Sequence, residues 1–285
     1  PLFAPHIFYP EGWHTAAYSQ AAGLLLPLGL LHFFLPMAAV YNGALLAAFV
    51  MAYMGMRRFL GLYILEHWLV ILVALLYTFW GLRWGRKPGQ LNLLWLSSLL
   101  PWLGWVLLRE GTGWRKVLWA GLIWGVIVTI TLYGLWMGAV LLAAYWLVNP
   151  SLVRIKQLAA ISAIAGLVSL PGLWLFWRAT QMADAPLYRF EEIAYWGASV
   201  NTFVLPTLAH PRWQPWVHYF YTGGGGEASS ANYGPIATLL ALGGLWGLKR
   251  TEPTQRLALW LLIIGTVMAA GPVLRWQDTI VQAPI

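Results

Sequence analysis

The sequence contains no cysteine. Disulfides, thiolate metal centres and cysteine nucleophiles are therefore excluded, although this absence assigns no compartment. Charge is scarce as well. Asp, Glu, Lys and Arg make up 9% of the 285 residues, against roughly 25% in a soluble domain, which excludes the soluble class. The motifs of soluble enzymes are also missing: there is no Walker loop, no nucleophile elbow and no His-Glu-x-x-His. The glycine run 223–226 is followed by Glu227-Ala228-Ser229-Ser230, with no basic residue at phosphate-loop spacing, and reads as a loop tip.

The chain is instead 60% hydrophobic, with a mean hydropathy of +0.66. Stretches 69–82, 91–108, 117–148, 158–177 and 257–274 carry almost no charge. A bilayer core needs about 20 apolar residues per helical span, and a charge at its centre costs several kcal/mol. The expected fold class is all-α, a polytopic transmembrane helical bundle. We place eight spans at about 38–56, 62–82, 91–108, 117–133, 135–149, 157–177, 235–248 and 257–274. Residues 117–148 are long for one span, and Tyr133-Gly134 permits a tight hairpin there. Residues 20–35 are apolar but short and interrupted by Pro27, which suits an N-terminal interfacial or re-entrant helix. The organisation is thus 1–36 as the end of an extracytoplasmic loop with its interfacial helix, and 37–177 as transmembrane helices. A long extracytoplasmic loop follows at 178–234, and 235–285 holds the last two spans and a tail. The chain begins at Pro1 rather than Met and reads as a fragment, with sequence expected upstream.

The net charge of +8 is spread over short loops instead of one patch. This is a topogenic pattern, and nucleic acid is not an expected partner. With Arg57-Arg58 on the cytoplasmic side, alternation places Arg109/Arg115/Lys116, Arg154/Lys156 and Lys249/Arg250/Arg256 there too. Of the 20 Trp, many lie near segment ends, including Trp84, Trp114, Trp136, Trp177, Trp213, Trp216 and Trp276, as an interfacial aromatic belt requires. One loop breaks the charge rule: Arg83, Arg86 and Lys87 fall on the outer face. Headgroup snorkelling explains them blandly; a phosphate or pyrophosphate site explains them functionally, with Gly85, Pro88 and Gly89 bending the backbone around the anion.

Other residues offer chemistry, most of them outward-facing, with Glu66 and His67 on the cytoplasmic side. His6, Glu11 and His14 are of metal-ligand type, but their spacing is not diagnostic. Glu66 and His67 sit at a helix start, where snorkelling competes with a proton-relay role. Asn42 follows Tyr41 at the opening of a span, where capping accounts for it. In the long loop, Asp184, Glu191 and Glu192 precede Tyr195-Trp196, and His210-Pro211-Arg212-Trp213 and His218-Tyr219 add donors and stacking faces. A solvated loop face competes there with a sugar-binding surface.

The order of these features resembles bacterial multi-pass membrane glycosyltransferases of the GT-C type, including dolichyl-phosphate-mannose-type and YfhO-like relatives. The landmarks are Phe3-Ala4-Pro5-His6-Ile7-Phe8-Tyr9-Pro10, Tyr41-Asn42, Gly89-Gln90-Leu91-Asn92-Leu93-Leu94, Leu205-Pro206-Thr207-Leu208-Ala209-His210-Pro211, and Gly271-Pro272-Val273-Leu274 closing the last span. The resemblance runs through nearly the whole chain, with two departures: Gln90 stands where the landmark has His, and the position near Ser199 is neutral where an acid is expected. It implies transfer of a sugar from a polyprenyl-phosphate donor to a glycan, lipid or protein acceptor at the outer face of the bacterial plasma (inner) membrane. The catalytic base of such enzymes is an acid expected upstream of residue 1; Glu11 is the candidate within this chain. Arg83, Arg86, Lys87 and Gln90 would bind the donor phosphate. His6, His14, Glu191, Glu192, Trp196, His210, Arg212 and Trp213 would contact substrate. No metal ligand set is assigned, and a divalent metal is the one cofactor left open. The rivals are a transporter or flippase for a lipid-linked substrate, for which the sequence shows no inverted repeat, and a non-catalytic membrane subunit.

Overall fold

A computed structural model of the chain describes residues 3–4, 13–14, 22–79, 91–109, 111, 113–148, 150–182, 253–270, 274–276 and 279–281. The described residues are almost entirely helical. The helices are α1 (Ala22–His32), α2 (Met37–Leu60), α3 (His67–Thr78), α4 (Leu91–Leu108), α5 (Trp114–Ile130), α6 (Tyr133–Val148), α7 (Leu152–Met182) and α8 (Pro253–Ala270). Two small antiparallel ribbons accompany them: β1 (Phe3–Ala4) with β2 (Trp13–His14), and β3 (Leu274–Trp276) with β4 (Thr279–Val281). The chain divides into two compact units, Pro1–Ala185 and Pro186–Ile285.

In the first unit α4 is the most buried of the long apolar helices. Its buried residues include Leu94, Leu96, Ser98, Leu99, Leu103, Val106 and Leu107, which go all round the helix. An apolar helix buried on every side belongs at the centre of a bundle. On α2, the side facing α4 is a stripe of small residues, Ala44, Ala48, Ala52 and Gly55, all buried. Their size lets the backbones approach and lets polar groups bond across: Ser98 Oγ donates to Ala48 O at 2.7 Å and Trp102 Nε1 to Met51 O at 2.9 Å. A Cβ on Gly55 would stand 2.5 Å from the Trp102 ring. Contacts advance together from Ala48 with Ser98 to Phe59 with Gly104, so α2 and α4 run in the same direction. Between them α3 returns, with Phe79 stacked on Phe49 at one end and His67 beside Arg57 at the other. Trp102→Phe keeps the packing but removes the bond to Met51; about 1 kcal/mol of stability should be lost, read as a small drop in melting temperature in detergent.

The second layer repeats this plan with glycine. Gly121 and Gly125 lie four apart on α5, against α7. A Cβ at either would sit 2.6 Å from a side chain of α7, Ile164 or Val168, and 3.1 or 3.0 Å from the backbone oxygens of Ile161 or Ala165. This is the small-xxx-small geometry of closely packed membrane helices. Between α5 and α7, α6 runs the opposite way, held by Trp124 Nε1 donating to Gly134 O at 3.0 Å.

The flanks of this bundle are apolar. Leu46 is 66% exposed and Leu167 72%, and Val50, Met54, Leu72, Leu76, Trp136 and Leu170 are also exposed. Such surfaces are stable against lipid tails, not water. Among the described residues three helices are long and apolar enough to cross a membrane: Met37–Leu60, Leu91–Leu108 and Leu152–Arg178. These mark the chain as a membrane protein.

Several expected boundaries move. The span at about 62–82 is helical only over the 12 residues of α3. At about 1.5 Å per residue that is well short of a bilayer core, because Gly61–Tyr63 form a turn and Glu66 stands before the first helical residue. Asn42 is not at a helix start: α2 already begins at Met37, so Asn42 lies inside it, exposed. The break in 117–148 falls at Thr131-Leu132, before Tyr133. Thr131 is extended, with φ −165° and ψ 141°. In the second unit α8 ends at Ala270 and Leu274 opens β3, so Leu274 does not close a span. The expected span at 235–248 lies outside the described residues.

Candidate functional site

The helix directions gather charge at one end of the first unit. There α2 and α4 end, α5 begins, α6 ends and α7 begins. The cations they contribute are interleaved with rings. The Arg58 guanidinium lies 4.6 Å from the Trp102 centroid and 5.5 Å from that of Trp105. On the next turn of α4, Arg109 lies 5.1 Å from the Trp105 ring. Lys116 Nζ donates to Arg109 O at 3.0 Å and stands 5.6 Å from the Tyr145 ring. Arg154 lies 4.7 Å from the same ring and donates from Nη1 to Tyr145 O at 3.2 Å. Each such stacking is worth about 0.5–1 kcal/mol, more where water is excluded.

Two of these cations also close helix ends. Arg109 and Tyr145 lie at the C-terminal ends of α4 and α6, and their carbonyls accept from Lys116 and Arg154, where partial negative charge collects. Lys116 sits in the first turn of α5, ahead of the apolar run from Val117. Burial holds its ammonium below the ordinary lysine range, and the charges of Arg154 and Arg109 push the same way. At the edge of the cluster, Arg57 Nη2 lies 3.3 Å from His67 Nε2, and both residues are exposed. Glu66 and His67 are thus solvent-accessible residues at a helix start.

The residues singled out from the sequence for chemistry fall elsewhere. Glu11, Arg83, Arg86, Lys87, Gln90, His6, Glu191, Glu192, Trp196, His210, Arg212 and Trp213 lie outside the described residues. His14 belongs to β2, where it pairs with Phe3. Among the described residues no three His, Asp or Glu gather as metal ligands would. The ladder of Arg58, Trp102, Trp105, Arg109, Lys116, Tyr145 and Arg154 was not foreseen as a unit. Its one local signal is the spacing of Trp102, Trp105 and Arg109, which puts all three on one helix face.

No family model matches the chain, and no curated protein or solved structure does.

Proposed function

We propose that the chain is a multi-pass protein of the bacterial plasma membrane, with the Arg58–Arg154 end in the cytoplasm, that transfers a sugar from a polyprenyl phosphate to an acceptor at the opposite face. The observation that carries this reading is the separation of the basic segments. Arg58, Arg109, Lys116 and Arg154 come together at one end, whereas α3 ends and α4 begins at the other. The segment joining α3 to α4 holds Arg83, Arg86 and Lys87. Cations on the outer side run against the topogenic rule, and an anionic ligand gives them a purpose. Resemblance to GT-C-type transferases supports the choice of a lipid-linked sugar.

The proposed step is a single inverting displacement. The acceptor oxygen forms a bond to the anomeric carbon while the bond from that carbon to the donor phosphate oxygen breaks. The polyprenyl phosphate leaves with the electron pair, and the acceptor proton passes to a carboxylate. Arg86 and Lys87 meet the charge that grows on the leaving phosphate. Apolar helix flanks give the prenyl tail a bed in the membrane.

The test is titration of the full-length protein in lipid nanodiscs with polyprenyl-phosphate sugars, followed by native mass spectrometry. Arg86→Ala/Lys87→Ala should weaken binding at least about tenfold, since each charge-assisted contact contributes about 1.5–3 kcal/mol. Wild-type binding no stronger than that of ordinary anionic lipids would overturn the proposal, as would unchanged binding in the double variant.

A further inference from the structure

The cluster at the basic end carries more positive charge than its structural duties use. Lys116 and Arg154 each place one donor on a helix carbonyl, and an ammonium or guanidinium has others to give. Arg109 adds a guanidinium stacked on Trp105. Among the described residues no carboxylate pairs with any of the three, and the charges of Arg154 and Arg109 both act on Lys116. The adjoining start of α5 adds to the imbalance. Its N-cap is Gly113, which offers no side-chain acceptor to the first helical N–H groups, and this is the positive end of the helix dipole. At α7, by contrast, Ser151 Oγ accepts from Arg154 N at 3.3 Å. The surroundings are apolar and exposed: Trp114 is 70% exposed, Leu152 68% and Val153 64%.

We propose that Arg109, Lys116 and Arg154, at the junction of α4, α5, α6 and α7, form a binding site for a phosphate-bearing ligand, the headgroup of an anionic phospholipid. The phosphate meets the fork of Arg154, the ammonium of Lys116 and the uncapped start of α5. The acyl chains lie along Trp119 and Ile155, exposed apolar residues on the bilayer side of Lys116 and Arg154. These exposed apolar residues favour a lipid over free phosphate, which has no use for them. The site is separate from the donor site proposed above and stands or falls without it.

The test uses the full chain in nanodiscs of phosphatidylcholine containing a minority of phosphatidylglycerol, with retained lipid counted by native mass spectrometry. Wild type should retain phosphatidylglycerol selectively. Lys116→Gln/Arg154→Gln should reduce retention about tenfold, equivalent to about 1.4 kcal/mol. Arg115→Gln/Lys156→Gln removes the same charge from exposed positions at the same end and should change it less than about twofold. Equal losses in the two pairs would reduce the effect to general surface potential and overturn the site. Absence of selective retention by wild type would overturn it without any variant. If the Gln pair does not fold, Lys116→Arg/Arg154→Lys preserves the charges and disturbs only the fork geometry. Selective loss in that folded variant supports the site, and retention equal to wild type overturns it. A second arm titrates inorganic phosphate against bound phosphatidylglycerol. Displacement at low phosphate assigns the site to a free anion and overturns the headgroup; resistance supports the lipid.

Discussion

Gly125→Ala is expected to destabilise the protein by about 1–3 kcal/mol, the usual cost of overpacking a close contact, and Gly166→Ala to stabilise it by about 0.5–1 kcal/mol. Both positions are glycines within long apolar helices, and helix propensity alone favours Ala at each. Space decides the sign. The added methyl at Gly125 meets Val168 Cβ at 2.6 Å and the Ala165 oxygen at 3.0 Å. A side chain can rotate away, but the oxygen belongs to the backbone of α7, so relief means moving the helix. At Gly166 nothing lies within 4 Å, and only the entropy of the unfolded chain changes. Gly121 faces the same wall one turn earlier, with the Ile161 oxygen at 3.1 Å. Because both clashes push α5 and α7 apart along one line, Gly121→Ala/Gly125→Ala should cost less than the sum of the singles. Tryptophan-fluorescence melting in detergent measures all four variants. A neutral Gly125→Ala would mean that α5 and α7 do not pack through this seam.

How far the sequence reveals this bundle depends on what ends each helix. α4 matches its expected limits because charge or turn residues bound a run with nothing polar enough to stop it. The hairpin in 117–148 was expected from the breaking tendency of Gly134, yet that glycine is helical. It is held close to α5, where Trp124 bonds its carbonyl, while Thr131 makes the turn. Glycine in a membrane helix serves packing as readily as breaking, and one sequence does not say which. The four-residue spacing of Gly121 and Gly125 stands in the sequence, but nothing there marks their partner on α7. The shortness of α3 also escaped hydropathy, since Tyr63, Ile64 and Leu65 are apolar and still not helical.

The cluster at the basic end shows the same limit at the level of chemistry. Charge alternation grouped Arg58, Arg109, Lys116 and Arg154 on one side of the membrane, which is a statement about a plane. Their meeting at shared rings is a statement about contacts. Tyr145 lies within an apolar run, and no local feature marks it as the ring that Lys116 and Arg154 both approach. Trp102 and Trp105 likewise lie within an apolar run that gives them no separate mark. Their role depends on α2 running beside α4 in the same direction, which brings Arg58 over them.

Single thiols placed at the two ends of the bundle should react on opposite sides of the cell membrane. The absence of native cysteine makes each substitution unambiguous. Gly113→Cys and Ser151→Cys lie at exposed positions of the basic end; Pro36→Cys and Tyr133→Cys lie at exposed positions of the other. An impermeant maleimide added to intact cells should label the second pair nearly to completion and the first only after permeabilisation. The bias behind this is electrostatic: each Lys or Arg near the anionic cytoplasmic leaflet contributes about 1 kcal/mol, and Arg57, Arg58, Arg109, Arg115, Lys116, Arg154 and Lys156 all act in the same sense. Reversed labelling would place the Arg83–Lys87 segment in the cytoplasm and defeat an outer-face donor site. It would leave the headgroup site intact, since that rests on the meeting of Arg109, Lys116 and Arg154 and not on which leaflet they face. Mixed labelling within one pair would be more serious, because Gly113 and Ser151 share an end only if α5 and α6 both cross and return. The hairpin at Thr131 and the seam between α5 and α7 put both positions at one end of the bundle.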